Sequence, residues 1–369
     1  MVVGVLTTSY PRFAGDGAGS FVADDVARLV RGGATVQVVA AGDGPAGVTE
    51  SQDDGVTVTR IGTASPRSGE PSIFYGDGAP ETLERRGARA WIAAAYFSAA
   101  LRCQVAAARA RWDAVVSHWL VPCTWTALAA APQLPVRGYA HSGDVALLER
   151  LPFGRALARQ LAAAAADLVF VSGDLQQRFA ALAGRAVGRI ERLRPDPELF
   201  RAASPSERAQ ARRRLGFTRP TVVAVGRLIP IKGFDLLIDA VGDLAEVVII
   251  GAGSEDERLR ARARRRSVAL RLPGALPRSD LRAWLAAGDV YVQPSRRLRS
   301  GRSEGVPLAA LEALAVGALV VAARSGGLAE LGDQAVLFEP GDVASLRAAL
   351  VRVLQPGSHS ASMAPWLRS

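Results

Sequence analysis

Two carboxylates and two cations stand out in the second half of this chain for their spacing. In SGRSEGVPLAALEALAVGALVVAARSGGLAEL, Ser300 to Leu331, Glu304 and Glu312 lie eight residues apart. They flank the start of an apolar helix. Gly305 frees the backbone for a tight turn. Pro307 suits the first helical position, where its missing N–H costs nothing, and Gly317 stands where a helix C-cap is expected. The backbone of Gly305, Val306, Pro307 and Leu308 then forms an exposed helix N-terminus, a ready phosphate site. Glu312, on the face of Leu308, either accepts a pair of sugar hydroxyls or lies on a solvated helix face. Glu304, at the helix mouth, either meets a ligand or complements the helix dipole. The second block, VVAVGRLIPIKGFDLLI, spans Val222 to Ile238. Its strand ends at Gly226, and Arg227 and Lys232 follow in a loop. A guanidinium fork and an ammonium point charge beside a strand end suit a diphosphate. The alternative is an ordinary cationic surface loop.

The first half offers fewer candidates. GDGAGS places Gly15, Gly17 and Gly19 after the first strand. It is a poor match to a G-x-G-x-x-G phosphate loop and reads either as a phosphate approach or as a flexible loop. The chain has three histidines. His118, in SHWLVP, and His141, in YAHSGD, both follow expected strands. A core hydrogen bond is the preferred reading of His118, with an acceptor-side role as its alternative. Asp144 is a further acceptor-side candidate.

The elements that must carry these residues alternate between strand and helix. Val2–Leu6 reads as a buried strand, Phe21–Val30 as a helix ended by Gly32 and Gly33, and Thr35–Ala40 as the next strand. Residues 43–80 read as a turn-rich region with one strand at Val56–Ile61, followed by one long helix over Glu81–Arg111. Strands are expected at Ala114–Ser117, Val136–Ala140 and Leu168–Ser172, with helices at Cys123–Ala131 and Arg155–Ala165. Leu193–Arg219 holds three prolines and a basic helix and reads as a linker. The pattern then restarts, with strands at Thr221–Val225, Val247–Gly251, Leu270–Leu272, Val290–Gln293 and Leu319–Ala322. The expected helices there are Phe234–Val241, Asp256–Arg266, Asp280–Ala287, Pro307–Val316 and Ala344–Val353. Two doubly wound α/β domains follow, 1–195 and 196–354, with a short tail at 355–369. Ligands of such sheets sit at the carboxyl ends of strands where the order switches, and two facing domains would offer the cleft between them.

Bulk properties narrow the class. A length of 369 residues exceeds a single core, and 49% hydrophobic content excludes a disordered chain. Cys103 and Cys123 lack metal or disulfide spacing, which fits a reducing cytoplasm. The N-terminus has no signal-peptide pattern, and no apolar run reaches the ~20 residues of a spanning helix. The net charge of +10 is mostly arginine. It reads either as a surface for anions or as compositional bias. The six arginines near Arg258–Arg266 pose the same choice between docking on anionic lipid and simple solvation.

Together the two C-terminal blocks resemble the retaining glycosyltransferases of family 4, which have the GT-B fold of two facing Rossmann-like domains. Val225–Ala240 follows that family's VGRL-x-x-x-KG-x-D-x-LI-x-A stretch, and Glu304–Gly317 its E-x7-E signature. VVIIGAGSEDERL, with Gly251 and Gly253, follows its glycine-ended strand, and Val320–Leu331 its glycine pair. The resemblance implies that Arg227 and Lys232 hold the donor diphosphate and that Glu312 binds ribose hydroxyls. It implies that Glu304 and His141 contact the transferred sugar. Gly17, Gly19, Gly251, Gly253 and the Gly305–Leu308 backbone would approach the donor.

The implied reaction moves a sugar from a nucleotide diphosphate sugar to an acceptor hydroxyl with retention. No metal and no cofactor are expected, and no nucleic-acid partner. Peripheral contact with the inner membrane face is an open possibility. The rivals are a GT-B phosphorylase, a nucleotide-sugar epimerase, or a non-catalytic binder of nucleotide sugars or polyanions. The chain departs from the family at Arg194-Pro195-Asp196-Pro197 and in the arginine-rich RRLRSGR before Glu304. Trp366 in the tail is a candidate anchor.

Overall fold

The computed structural model describes residues 1–13, 16–53, 55–64, 72–75, 79–164, 166–298 and 301–355. Gly15 and Trp366 lie outside them. The chain divides into two compact units, Met1–Arg192 and Leu193–Ser369.

The first unit runs β1 (Val2–Thr7), α1 (Ser20–Arg31), β2 (Thr35–Pro45), β3 (Gly47–Asp53), β4 (Val56–Ala64), α2 (Ala79–Arg86) and α3 (Ala88–Ala108). It continues through β5 (Ala114–His118), α4 (Trp125–Ala130), β6 (Val136–Ala140), α5 (Ser142–Arg150), α6 (Gly154–Ala163), β7 (Ala166–Phe170), α7 (Gly173–Ala183) and β8 (Arg189–Ile190). The sheet order is β3-β4-β2-β1-β5-β6-β7-β8, with β3 antiparallel to β4 and the other pairs parallel. The order reverses between β1 and β5, so the loops after those strands flank the switch point.

The second unit runs α8 (Pro205–Leu215), β9 (Thr221–Val225), α9 (Phe234–Val241), β10 (Glu246–Ile250), α10 (Asp256–Arg265), β11 (Leu270–Gly274) and α11 (Arg278–Ala287). Then come β12 (Val290–Gln293), α12 (Leu308–Val316), β13 (Leu319–Ala323), β14 (Val336–Phe338) and α13 (Val343–Leu354). Its order is β11-β10-β9-β12-β13-β14, all parallel, the arrangement of a dinucleotide-binding sheet. The strands are continuous apolar runs because both faces are covered. Val247 and Ile249 of β10 join the core on one side, and Val248 and Ile250 the core on the other.

Several expectations are corrected. The long helix over 81–111 breaks at Gly87, whose φ of 56° interrupts α2 and α3. The turn-rich region holds β3 as well as the expected strand. Helices α5 and α7 and strands β8 and β14 were not expected. The basic helix assigned to a linker, α8, is built into the second unit. Ser204 and Glu207 cap it reciprocally, and Arg208 donates to the Val316 and Gly317 carbonyls at 2.8 Å each. Arg212 pairs with Asp289 at 2.7 Å. These arginines satisfy carbonyls that a helix end leaves open. Pro307 precedes α12 as its N-cap and is not its first residue, while Gly317 closes that helix at φ 80° as expected.

Candidate functional site

In the second unit the switch point lies between β9 and β12, and the two C-terminal sequence blocks meet there. Lys232 follows β9, and Glu304 lies in the loop after β12. The Lys232 Nζ is 2.7 Å from Glu304 Oε1, with the two side chains 12% and 14% exposed. The other carboxylate oxygen, Oε2, accepts from the Ser295 hydroxyl at 2.5 Å. Ser295 in turn accepts from Gln293 Nε2 at 2.8 Å, and Gln293 Oε1 accepts from the Tyr291 hydroxyl at 2.6 Å. Every donor in this buried chain finds one acceptor. Burial alone would raise the Glu304 carboxyl. The Lys232 charge and hydrogen bond, with the Ser295 hydroxyl, outweigh it and hold the group below the ordinary glutamate value. Burial and the nearby charges of Glu312 and Glu304 push the Tyr291 phenol well up, so it stays a donor.

Close backbone packing fixes these loops. A Cβ on Gly251 would lie 1.9 Å from the Gly226 carbonyl oxygen, so only glycine fits where β10 ends against the loop after β9. Gly253 packs in the same way against Leu228. Gly326 sits against the Glu304 carbonyl, and Gly327 donates to it at 3.2 Å. The glycine pair of the last sequence block thereby sets the position of Glu304. Arg227 is exposed at the same strand end.

Glu312 is buried inside α12, which removes the solvated-face alternative. Arg278, the first residue of α11, donates to its Oε1 at 2.6 Å. The Arg278 guanidinium also lies 5.4 Å from the Phe200 ring centre. No side chain caps the start of α12, and its first turn holds no acid. The backbone from Gly305 to Leu308 therefore leads into a helix end open to an anion.

In the first unit the loops at the switch point gather a different cluster. Gly19 caps α1 at φ 71°, with its Cα against the Ser9 carbonyl. Gly17 has open space around it. His118 ends β5, and its Nδ1 is 3.3 Å from His141 Nε2. The His118 Nε2 is 3.3 Å from Asp25 Oδ2 of α1, and Arg28 is 2.9 Å from Asp25 Oδ1. Tyr139 stacks on His118 at 5.1 Å between ring centres, while Phe21 and Trp119 pack on His141 at 4.8 and 4.9 Å. Burial holds the His141 imidazole well below its ordinary value. Asp25 stays low because contacts with His118 and the Arg28 charge outweigh its burial. Trp119 adopts φ 73° between β5 and the following turn, a costly conformation for a bulky residue.

His118 is buried, with its Nδ1 in hydrogen-bond contact with His141. Asp144 is fully enclosed. Its oxygens accept from the backbone N–H groups of His141 at 3.0 Å, Leu120 at 2.6 Å and Val145 at 2.8 Å. Burial pushes its carboxyl up to about 7 despite those donors. The geometry makes Asp144 a holder of the turns that carry His118 and His141.

The arginines near 258–266 are largely paired. Arg258 meets Glu255 at 3.0 Å and Arg260 meets Asp256 at 2.6 Å, while Arg262 and Arg266 share Asp239. In the insert before Glu304, Arg296 pairs with Asp235 of α9 and Arg302 is buried; Arg299 lies outside the described residues. Among the described residues no group of three or more His, Cys, Asp or Glu could hold a metal ion. None of their helices is long and apolar enough to cross a membrane. Sequence reasoning missed Asp25 and Arg278, whose partners His118 and Glu312 are distant in sequence, and the Tyr291–Gln293–Ser295 chain, whose links two residues apart form no recognisable motif.

Residues 219–356 match the family described as "Glycosyl transferases group 1". The chain is 34% identical over 227 residues to a GDP-mannose-dependent alpha-(1-6)-phosphatidylinositol monomannoside mannosyltransferase of Mycolicibacterium smegmatis, covering 58% of this chain and 59% of that protein. It is 34% identical over 239 residues to a D-inositol 3-phosphate glycosyltransferase of Acidothermus cellulolyticus, covering 58% and 51%. It thus spans about half to three fifths of the length of these curated relatives. Among solved structures it is similar to an alpha,alpha-trehalose-phosphate synthase (UDP-forming) of Burkholderia xenovorans. The TM-score is 0.74 at 17% identity, over 96% of this chain and 92% of that one. The sucrose-phosphate synthase of Thermosynechococcus elongatus gives a TM-score of 0.73 at 17% identity, over 96% and 89%. The expected GT-B fold class is thereby shown.

Proposed function

We propose that this chain, a family-4-like GT-B protein whose residues 219–356 form a group 1 glycosyl transferase domain, is a retaining glycosyltransferase. It moves a sugar from a nucleotide diphosphate sugar to an acceptor hydroxyl, without a metal or other cofactor. The observation that carries this reading is the Lys232–Glu304 pair at the switch point of the second sheet, beside the open start of α12. Lys232 and Arg227 supply positive charge for a departing diphosphate, the kind of fixed electrostatic aid that often dominates catalysis. Glu304, already ionised and oriented, is positioned to accept from hydroxyls of the transferred sugar. Glu312, held by Arg278, takes the ribose hydroxyls. In the first unit His141 meets the transferred sugar, and His118 and Asp144 shape its surroundings.

Retention through a covalent intermediate would need a free carboxylate beneath the anomeric carbon. Glu304 is engaged through both oxygens, which favours attack from the leaving-group face with the donor phosphate taking the acceptor proton. The relatives' names make GDP-mannose the first donor to try. The test is a thermal-shift panel of GDP, UDP, ADP, TDP and CDP and their sugars on wild type and Lys232→Ala. A ligand at about 100 times its Kd stabilises by about 2.7 kcal/mol. One nucleotide that stabilises only wild type supports the reading; none doing so overturns it. Turnover that needs free phosphate would point to a phosphorylase, and turnover without an acceptor to an epimerase.

Membrane contact belongs to α3 on this reading, and not to the paired arginines of α10. The sequence of α3 contains no acid, and Trp91, Ile92 and Tyr96 are exposed on it. Arg85, Arg86 and Arg89 line a surface depression at its start. Aromatic residues flanked by arginine suit an anionic lipid surface. Co-sedimentation with phosphatidylglycerol-containing vesicles should exceed that with pure phosphatidylcholine and fall in Trp91→Ser/Ile92→Ser. No lipid preference, or a dimer broken by the same variant, would refute it.

A further inference from the structure

The first unit holds a buried carboxylate that the proposed reaction does not use. Asp25 lies on α1, its partner His118 ends β5, and His141 begins α5. The three elements meet only in the folded unit, since 93 residues separate Asp25 from His118. The order of the contacts has a direction. Among the described residues the charge paired with His118 Nε2 is the Asp25 carboxylate at 3.3 Å, and no hydrogen bond of regular geometry reaches that nitrogen. A carboxylate accepts and does not donate, so Nε2 must carry the proton. In the neutral His118 ring, Nδ1 is then a lone pair. It faces His141 Nε2 at 3.3 Å, and that nitrogen must in turn carry a proton to fill the contact. The last ring atom in the series, His141 Nδ1, is left without one. The backbone N–H of Asp144 approaches the His141 ring in a capping-box arrangement at the start of α5, which also calls for an unprotonated nitrogen there.

Water cannot easily blur this order. His118 and His141 are both buried, with Phe21, Tyr139 and Trp119 closing over the rings. The Asp25 carboxylate is itself steadied by Arg28 through its second oxygen. In water a neutral imidazole samples both tautomers. In this enclosure one of the two would set two N–H groups against each other, or leave Asp25 facing a lone pair.

We propose that Asp25 and His118 are positioning residues that hold His141 as its neutral Nε2–H tautomer, with Nδ1 as the acceptor. A ligand group that meets Nδ1 must then bring its own proton. A sugar hydroxyl does so, and an ionised phosphate does not. This selects a hydroxyl-bearing group over a phosphate at His141. That consequence rests on the transferase reading of the first unit. The tautomer itself does not, and it is measured without any ligand.

The experiment is a long-range proton–nitrogen spectrum of the full chain labelled with nitrogen-15 histidine, taken at pH 7.5. Three histidines give three ring systems, assigned with His118→Gln, His141→Gln and His359→Gln. Wild type is expected to show His118 and His141 each as a single Nε2–H form. Asp25→Asn keeps the shape but lets its amide donate as well as accept, so both rings should shift toward a mixture containing Nδ1–H. Asp25→Glu should restore the single form. A wild-type His141 with its proton on Nδ1 overturns the proposal outright, and so does a His141 spectrum unchanged in Asp25→Asn. If Asp25→Asn fails to fold, the wild-type spectrum alone still decides the tautomer, and His118→Gln tests the transmission. If the tautomer is as stated but no nucleotide sugar binds, the transferase reading fails while the relay stands.

Discussion

Removing the Lys232 ammonium separates its part in the fold from its part in binding. At 2.7 Å the pair with Glu304 has about 6 kcal/mol of gross attraction at an effective dielectric near 20, most of it offset by desolvation. Truncating one partner of a largely buried pair costs more than the pair contributes, because a lone charge stays behind. Lys232→Met should therefore destabilise the chain by about 3 kcal/mol. Glu304→Gln should cost less, and the double variant should recover about 2 kcal/mol relative to the sum of the singles. The pH dependence should reverse as well. In wild type Glu304 is held low, so its contribution is full above the unfolded value and is lost as pH falls through the folded one. In Lys232→Met burial dominates and the carboxyl rises, so that variant should gain stability on acidification. Urea titrations of the four proteins at pH 4 and pH 7.5 measure both effects. Nucleotide binding should stay lost in the double variant even though its stability recovers, since a charge-assisted contact of about 1.5–3 kcal/mol is gone. Stability changes that add within about 0.5 kcal/mol would refute the coupling. A Lys232→Met curve parallel to wild type in pH would do the same.

Arg278→Ala leaves the buried Glu312 carboxylate without its guanidinium. It should cost about 2–3 kcal/mol and weaken nucleotide binding, with Arg278→Lys recovering only part of both; calorimetric titration of the nucleotide found in the panel checks this. Gly251→Ala forces a methyl against the Gly226 carbonyl and should lower the melting temperature by many degrees, while Gly17→Ala, with nothing within 4 Å, should leave it within about 2 degrees. Asp144 has its folded value raised to about 7, so its contribution is full below about 4 and is lost as pH rises toward 7. Relative to Asp144→Asn, wild type should lose up to about 1.4 kcal/mol per pH unit across that window in chemical denaturation. Parallel profiles for the two proteins would show that the three backbone donors keep the carboxyl near its ordinary value.

Much of the second unit was legible because its signals are local. A strand buried on both faces must be an unbroken apolar run, and VVAV in β9 and VVII in β10 are such runs. Gly317 closes a helix by its own conformation, and the expected position was right. The misses arise where one residue's role is set by another far away. For Glu312 a solvated face stayed open beside a ligand role because nothing nearby reveals that Arg278, 34 residues earlier, turns toward it. The helix over 81–111 read as continuous because one glycine lowers helix propensity only modestly, and its left-handed turn is a tertiary decision. Helix α5 was missed because its start is fixed by Asp144 reaching back to His141, in a segment too short to show a clear period.

The arginine excess shows the same limit from the other side. Composition alone could not separate an anion-binding surface from a bias toward arginine. The contacts divide the residues by use. Arg208 and Arg212 hold helix ends and carbonyls of the second unit. Arg262 and Arg266 converge on Asp239, and Arg278 serves Glu312. Arg208, Arg212 and Arg262 each reach at least two acceptors with one planar group, which a lysine would meet only one at a time. Net charge counts these residues as free cations, although their charge is spent inside the fold. The arginines at the start of α3 differ in what lies beside them: an exposed tryptophan, isoleucine and tyrosine on a helix with no acid of its own. A basic surface there is coupled to apolar side chains, and the proposed lipid contact rests on that pairing.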